Sequence, residues 1–346
     1  MMGERGSMAE FVRRVLVLIA LLALVALTYK MTYLLLLLFG SVVVAVVIRL
    51  IARQFERIGL SQGIATTIAV LCIFGALAGL LWIFGGLISS QFALLYEQFP
   101  GAATQVQRQL NRWGLDFDLQ AVAQAASQQA STIFQRAGGF VLTAGGVLTD
   151  MLLVLVGAIF LAANPEFYRK GVLRLLPRSA EPVAARTLDD SGNGLKLWLA
   201  GQAVASVFVG VLSYVGLTMI GVPSAAALAI IAAVLELIPY VGPILAAIPA
   251  IILGLSVDPT TGLWTLVLYV VIQQLEGYVI TPLVQKRAVE LPPLVLLFSI
   301  FAAGALFGPL GVILAAPLTV VVYIMIQHLY IGQVLGREPK VPGHHD

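Results

Sequence analysis

Two carboxylates stand alone in long apolar stretches. Glu236 is the only charged residue between Lys196 and Asp258, and Glu276 the only one between Asp258 and Lys286. An ionisable group at membrane depth costs about 3 kcal/mol or more and is functional by default. Each is followed by residues that break a helix: Pro239-Tyr240-Val241-Gly242-Pro243 after the first, Pro282 after the second. A carboxylate can trade a proton for Na⁺. Irregular backbone at depth is tolerated only where it is buried or lines a cavity. Charge beside a broken helix is therefore the pattern of a transport site. For Glu236 the simpler alternative is that it satisfies backbone groups freed at the Pro239 break.

The run Gln273-Gln274-Leu275-Glu276-Gly277-Tyr278 is the denser of the two. At about 100° per residue, Gln273, Glu276 and Thr281 fall near one helix face, with Gln274 and Tyr278 close by. Two amides and a carboxylate both donate and accept hydrogen bonds, as a small hydroxylated solute requires. The alternative is a polar seam that holds helices together. Tyr240 and the open backbone between Pro239 and Pro243 are further candidate solute contacts, or else a tightly packed turn. Gly308-Pro309 carries the same two readings.

The elements that position these groups are membrane helices. Of 346 residues, 60% are hydrophobic and 11% charged, against about 25% charged in soluble domains. Apolar runs cover residues 11–28, 33–50, 63–88, 147–163, 197–220 and 262–281. The pieces 225–237 and 244–255 are too short, at roughly 12 to 13 residues, to cross ~30 Å of hydrocarbon. They predict a re-entrant helical hairpin turning at Gly242-Pro243. A last pair, 293–307 and 310–330, flanks Gly308-Pro309. The expected fold is all-α and polytopic, with about seven or eight transmembrane segments, one or two of the hairpins re-entrant. The N-terminal run reads as an uncleaved helix, because a second apolar run follows it directly.

Five regions follow: N-terminal helices (1–88), an extracytoplasmic Ala/Gln-rich helical insert (89–147), a helix with a basic segment (148–196), a transport core (197–336) and a tail (337–346). With both termini in the cytoplasm, all of the 20 Lys and Arg except Lys30, Arg108, Arg112 and Arg136 fall inside, as the positive-inside rule requires. The unit 197–255 and the unit 262–330 then have opposite topology. Each turns at Gly-Pro and carries a later proline (Pro249, Pro317), the pattern of an inverted repeat. Gly75 and Gly79 form a small-xxx-small contact within the protomer. His328 is expected at the lipid headgroups.

Several classes are excluded. A phosphate loop and a His-Glu-x-x-His motif are both absent from the sequence, so neither ATP fuel nor a zinc protease is expected. Cys72 is the single cysteine, which leaves no intramolecular disulfide and no cysteine metal site. No enzyme, cofactor, metal site or nucleic-acid partner is expected, since the net charge of +3 sits in loops between spans.

Three stretches carry a resemblance. Residues 237–250 (Leu-Ile-Pro-Tyr-Val-Gly-Pro-Ile-Leu-Ala-Ala-Ile-Pro-Ala), 273–284 (Gln-Gln-Leu-Glu-Gly-Tyr-Val-Ile-Thr-Pro-Leu-Val) and 304–317 (Gly-Ala-Leu-Phe-Gly-Pro-Leu-Gly-Val-Ile-Leu-Ala-Ala-Pro) resemble the signatures of the autoinducer-2 exporter (AI-2E) family. This bacterial membrane family was formerly an uncharacterised PerM-like group. The likeness extends over nearly the whole layout. It implies export of small polar molecules from the bacterial cytoplasmic membrane, Na⁺(Li⁺)/H⁺ antiport in some relatives, and a homo-oligomer such as a pentamer. Tyr278 stands where the family typically has Asn after Glu-Gly, which bears on the substrate.

Three functions follow as expectations. The first is a secondary exporter of a small polar solute, with Glu236 and Glu276 carrying the coupling cation and Gln273, Gln274 and Tyr240 touching solute. The second is a Na⁺/H⁺ antiporter using the same carboxylates. The third, of another class, is a membrane scaffold that assembles partners through the 89–147 insert.

Overall fold

The computed structural model describes residues 3–75, 145–280 and 291–338, with positions 79, 101, 104, 107, 108 and 111 between them; for 3–14, 18–30, 145–148 and 280 it describes backbone alone. Most of the insert, the far part of the 63–88 helix and the Thr281-Pro282 break lie outside the described residues. All regular structure described is helical.

Helix α1 runs Gly3–Arg57 without interruption. The sequence reading separates two spans near residues 29–32, but the segment is helical there. No glycine or proline lies between Phe11 and Phe39, so nothing breaks the backbone hydrogen bonding. Its Met31–Arg57 portion is long and apolar enough to cross a bilayer. Helix α2 (Gln62–Gly75) and helix α3 (Gly145–Ala163) pack on it. Ala45, Ile48 and Ala52 meet Ala65 and Ala69 of α2 and Ala158 and Ala162 of α3. Small side chains let these helices approach closely. A Cβ on Gly157 would lie 2.7 Å from Ser41 Oγ.

At Asn164-Pro165 the chain bends by 91° into helix α4 (Pro165–Arg174). Helix α5 (Glu181–Ile220) then runs for 40 residues. It starts well inside the basic segment, upstream of the apolar run at 197, because Pro182 opens its first turn and no proline follows before its end. Gly221 closes it in the left-handed conformation, φ 83°, as C-terminal caps favour. Both Arg169 N–H groups reach Asp189 of α5, at 2.7 and 2.6 Å. Those bonds hold the Arg169 guanidinium above its usual pKa.

Helices α6 (Ala225–Leu235), α7 (Val241–Val257) and α8 (Pro259–Leu275) fold against α5. Val209 and Leu217 of α5 bury with Leu228, Ala250, Leu253, Tyr269 and Ile272 of the other three. A 17-residue helix such as α7 reaches about 25 Å, short of a full crossing. Asp258 joins α7 to α8 and caps the latter, accepting from Thr260 N at 2.7 Å and Thr261 N at 2.9 Å. Thr261's hydrogen bonds hold the Asp258 carboxyl below the usual carboxylate range. A depressed carboxyl stabilises the fold above its unfolded pKa and loses that contribution as pH falls. Asp258→Ala is therefore expected to lower the apparent melting temperature in detergent at neutral pH. The deficit should shrink below about pH 4, where the unfolded carboxyl titrates.

Helix α9 (Pro293–Met325) is not straight. Gly308 has φ 65° and ψ −151°, a region open essentially to glycine alone. The chain folds back there: a Cβ on Gly311 would lie 2.1 Å from the Ala303 carbonyl, and Leu296 and Ile300 bury against Ala315 and Ala316. The expected hairpin at Gly308-Pro309 is present. Its first leg, roughly 15 residues, reaches only ~22 Å. Large apolar side chains face outward throughout, with Met219 82%, Val207 66% and Phe298 66% exposed, the surface a bilayer covers. The chain is an all-α polytopic membrane protein.

Candidate functional site

Glu236 ends α6. Its φ and ψ are helical, but the next residues leave the helix, and Pro239 cannot supply a backbone N–H to continue it. Val241 N donates to the Pro239 carbonyl at 2.8 Å, which closes a γ-turn on Tyr240 at φ 64°, ψ −44°. This positive-φ form is rare and strained. Gly242 N then donates back to the Ile238 carbonyl at 2.9 Å, and α7 begins. Gly242 lies so close to α6 that an added Cβ would sit 1.8 Å from the Leu235 carbonyl oxygen. The predicted Pro239, Gly242 and Pro243 turn is thus a packed turn, and it aims the end of α6 into the protein.

The Glu236 side chain is 2% exposed. Glu276 reaches it from the end of α8, where the helix widens into a π turn at Glu276–Ile280. A π turn changes the angular step, so the one-face argument for Gln273, Glu276 and Thr281 holds only as far as Glu276; Thr281 lies outside the described residues. Such π turns recur at functional sites. The half-buried Glu276 lies close enough to Glu236 for the two carboxyl groups to feel each other's charge. Glu236 Oε2 meets no hydrogen-bond donor among the described residues. Two acceptors facing each other in a poorly hydrated place repel unless a proton or a cation sits between them.

Neighbouring amides orient the pair. Gln273 Nε2 donates to Glu276 Oε2 at 2.5 Å. Gln202 of α5 donates from Nε2 to the backbone carbonyl of Glu236, and so fixes the α6 end against α5. Gln202 escaped the sequence reading. The signal was present, as the one amide in the apolar run 197–220, but only the tertiary packing shows that it faces Glu236. Tyr240 is half-exposed and close enough to Glu276 to feel its charge. Gln274 is exposed and makes no hydrogen bond among the described residues, so the structure does not bring it to the pair.

The two hairpins meet here. Ile238 and Val241 of the first pack on Leu296, Ile300 and Ala303 of the second. A cavity of 640 Å³ opens between them, walled by Tyr240, Ile244, Leu297 and Phe301 among others. Among the described residues the Tyr240 hydroxyl is the only polar side-chain group in that wall. Gly308 and Pro309 shape the second hairpin and make no contact with the carboxylates among those described.

His328 departs from expectation. It is buried, and its Nε2 lies 2.7 Å from Asp190 Oδ2 on α5. The chain beyond Met325 continues as a π segment packed on α5, which turns the ring inward instead of toward headgroups. Among the described residues no group of three or more His, Cys, Asp or Glu side chains could hold a metal ion.

The family profile for AI-2E family transporters matches residues 16–331. YueF of Bacillus subtilis (strain 168) is 27% identical over 82% of this chain and 82% of its own. The AI-2 transport protein TqsA of Escherichia coli (strain K12) is 24% identical over 84% of each. YhhT of the same organism is 22% identical over 82% of this chain and 81% of its own. The chain belongs to the AI-2E transporter family, and so is a transport protein and not an enzyme.

Proposed function

We propose that this member of the AI-2E transporter family is a secondary exporter of a small polar solute, driven by a proton or Na⁺ exchanged at Glu236 and Glu276. One observation carries the reading: the buried Glu236 carboxyl, whose Oε2 meets no donor among the described residues, lies beside the half-buried Glu276 where two broken-helix hairpins meet. Gln273 and Tyr240 supply the polar contacts beside the pair, and Gln202 holds the turn. TqsA, described as an AI-2 transport protein, supports a solute of similar size and polarity. The full chain is then polytopic, with units 197–255 and 262–330 arranged as an inverted repeat. The Arg49–Arg57 end of α1 and the C-terminus face the cytoplasm of the bacterial inner membrane, and the chain works as a homo-oligomer, a pentamer by family likeness. Movement of the hairpins against α1 and α3 would expose the pair to either side in turn.

Sealed liposomes carrying the protein and an internal pH dye test this. An imposed Na⁺ gradient should move protons in wild type, and Glu276→Gln should abolish the response. Labelled autoinducer-2 efflux should depend on the same gradient. Proton movement with no solute dependence would favour the second reading, a Na⁺/H⁺ antiporter, which the apolar walls of the neighbouring cavity also suit. Unchanged cellular phenotype in Glu276→Gln, with loss on deletion of 89–147, would favour the scaffold.

A further inference from the structure

At the basic end of the molecule, away from the carboxylate pair, α1, α4 and α5 enclose two adjoining cavities. The first, of 680 Å³, is lined by Arg49, Arg53, Arg169 and Lys196 among apolar residues. Two acidic residues, Glu166 and Asp189, also line it, so the walls carry four positive and two negative side chains. Arg169 is paired with Asp189, and Arg49 with Glu56 at 2.6 Å. Arg53 and Lys196 have no ion pair among the described residues. The second cavity, of 710 Å³, is almost wholly apolar and runs between α1, α5 and the end of α9. Val42, Val172 and Leu188 line both, so the two share a wall and form one amphipathic space.

The surroundings place that space at the membrane surface. Helix α4 turns by 91° from α3. It carries Arg169, Lys170 and Arg174, with Phe167, and Leu175 just past its end, exposed at 73% and 86%, the composition of a helix lying in the interface plane. A basic mouth joined to an apolar slot at that depth matches one ligand chemistry: a phosphate diester carrying acyl chains. We propose that this cleft binds an anionic phospholipid, with the headgroup phosphate on Arg53 and Lys196 and an acyl chain in the apolar cavity. A lipid seated there would bridge α1, α5 and the α9 end. The site does not depend on the transport reading above.

Native mass spectrometry of the full chain, released from detergent with phosphatidylglycerol and phosphatidylcholine at equal concentration, tests this. Wild type should retain phosphatidylglycerol at least tenfold over phosphatidylcholine. Arg53→Gln with Lys196→Gln should bring the ratio near one, while Lys196→Arg should preserve it. Leu188→Trp, which fills the shared wall, should cut retention of both lipids. Equal retention of the two lipids by wild type would overturn the proposal, as would undiminished selectivity in the double glutamine variant. Glycerol phosphate competing as well as phosphatidylglycerol would reassign the cleft to a soluble phosphate ester. Absence of any retained lipid, as when a neighbouring subunit covers the cleft, would also overturn it. Elution volume and melting profile of each variant separate loss of the site from loss of the fold.

Discussion

Gly242→Ala is expected to abolish transport and to lower stability by about 3 kcal/mol or more, beyond ordinary overpacking. The new methyl group would meet the Leu235 carbonyl oxygen at 1.8 Å, and a backbone carbonyl at a helix end cannot swing aside as a flexible side chain would. Relief requires separating α7 from α6, which opens the γ-turn at Tyr240 and withdraws Glu236 from Glu276. A thermal scan in detergent and the liposome assay read the two consequences. Gly63→Ala is the control: nothing lies within 4 Å of its Cβ position, and glycine within a helix is worse than alanine by roughly 0.5–1 kcal/mol. It should be neutral or slightly stabilising. A Gly242→Ala protein that melts and transports like wild type would show that the turn is not packed as described.

The second large effect concerns the carboxylates as a unit. Glu236→Gln and Glu276→Gln should each lower Na⁺-driven proton flux by about 100-fold, equivalent to ~3 kcal/mol, because a single carboxylate beside an amide no longer offers a proton or cation two acidic partners. The double variant should be no worse than the poorer single one. Groups that hold one proton or cation between them lose the function once, and their effects do not add. Additive losses, the double variant falling about 10⁴-fold, would mean two separate sites. The stability of the double variant should exceed that of either single one, because two amides donate and accept toward each other where a carboxylate beside an amide leaves an oxygen unmatched.

Much of this site was legible in the sequence, because membrane burial makes polar residues conspicuous. Glu236 and Glu276 stood out as lone charges in apolar runs. Pro239, Gly242, Pro243, Gly308 and Pro309 marked turns because proline and glycine change what the backbone can do wherever they occur. The short lengths of 225–237 and 244–255 forced a hairpin. These are local properties, set by composition and rise per residue. Family membership was legible for the same reason, since its signatures are these turns and their charges.

Pairwise proximity was not local, and only the tertiary structure decided it. Glu236 and Glu276 are separated by two helices, and no spacing rule says that α6 and α8 bring their ends together. The contact depends on α5 as a common support, on Gln202 at its face, and on α8 ending at Glu276. Gln274 lies one residue step round α8 from Gln273, where it makes no hydrogen bond among the described residues. His328 moved from the expected lipid surface to a buried pair with Asp190 because the end of α9 packs on α5. The join at residues 29–32 went the other way: the separate apolar runs 11–28 and 33–50 predicted two spans, and the unbroken run of helix-compatible residues kept the backbone helical. Sequence alone determined which groups must be shielded from lipid and where the backbone breaks, because hydrocarbon penalises exposed polarity at every position. Packing alone decided which shielded groups stand beside one another, because that depends on distances between segments that the chain order does not contain.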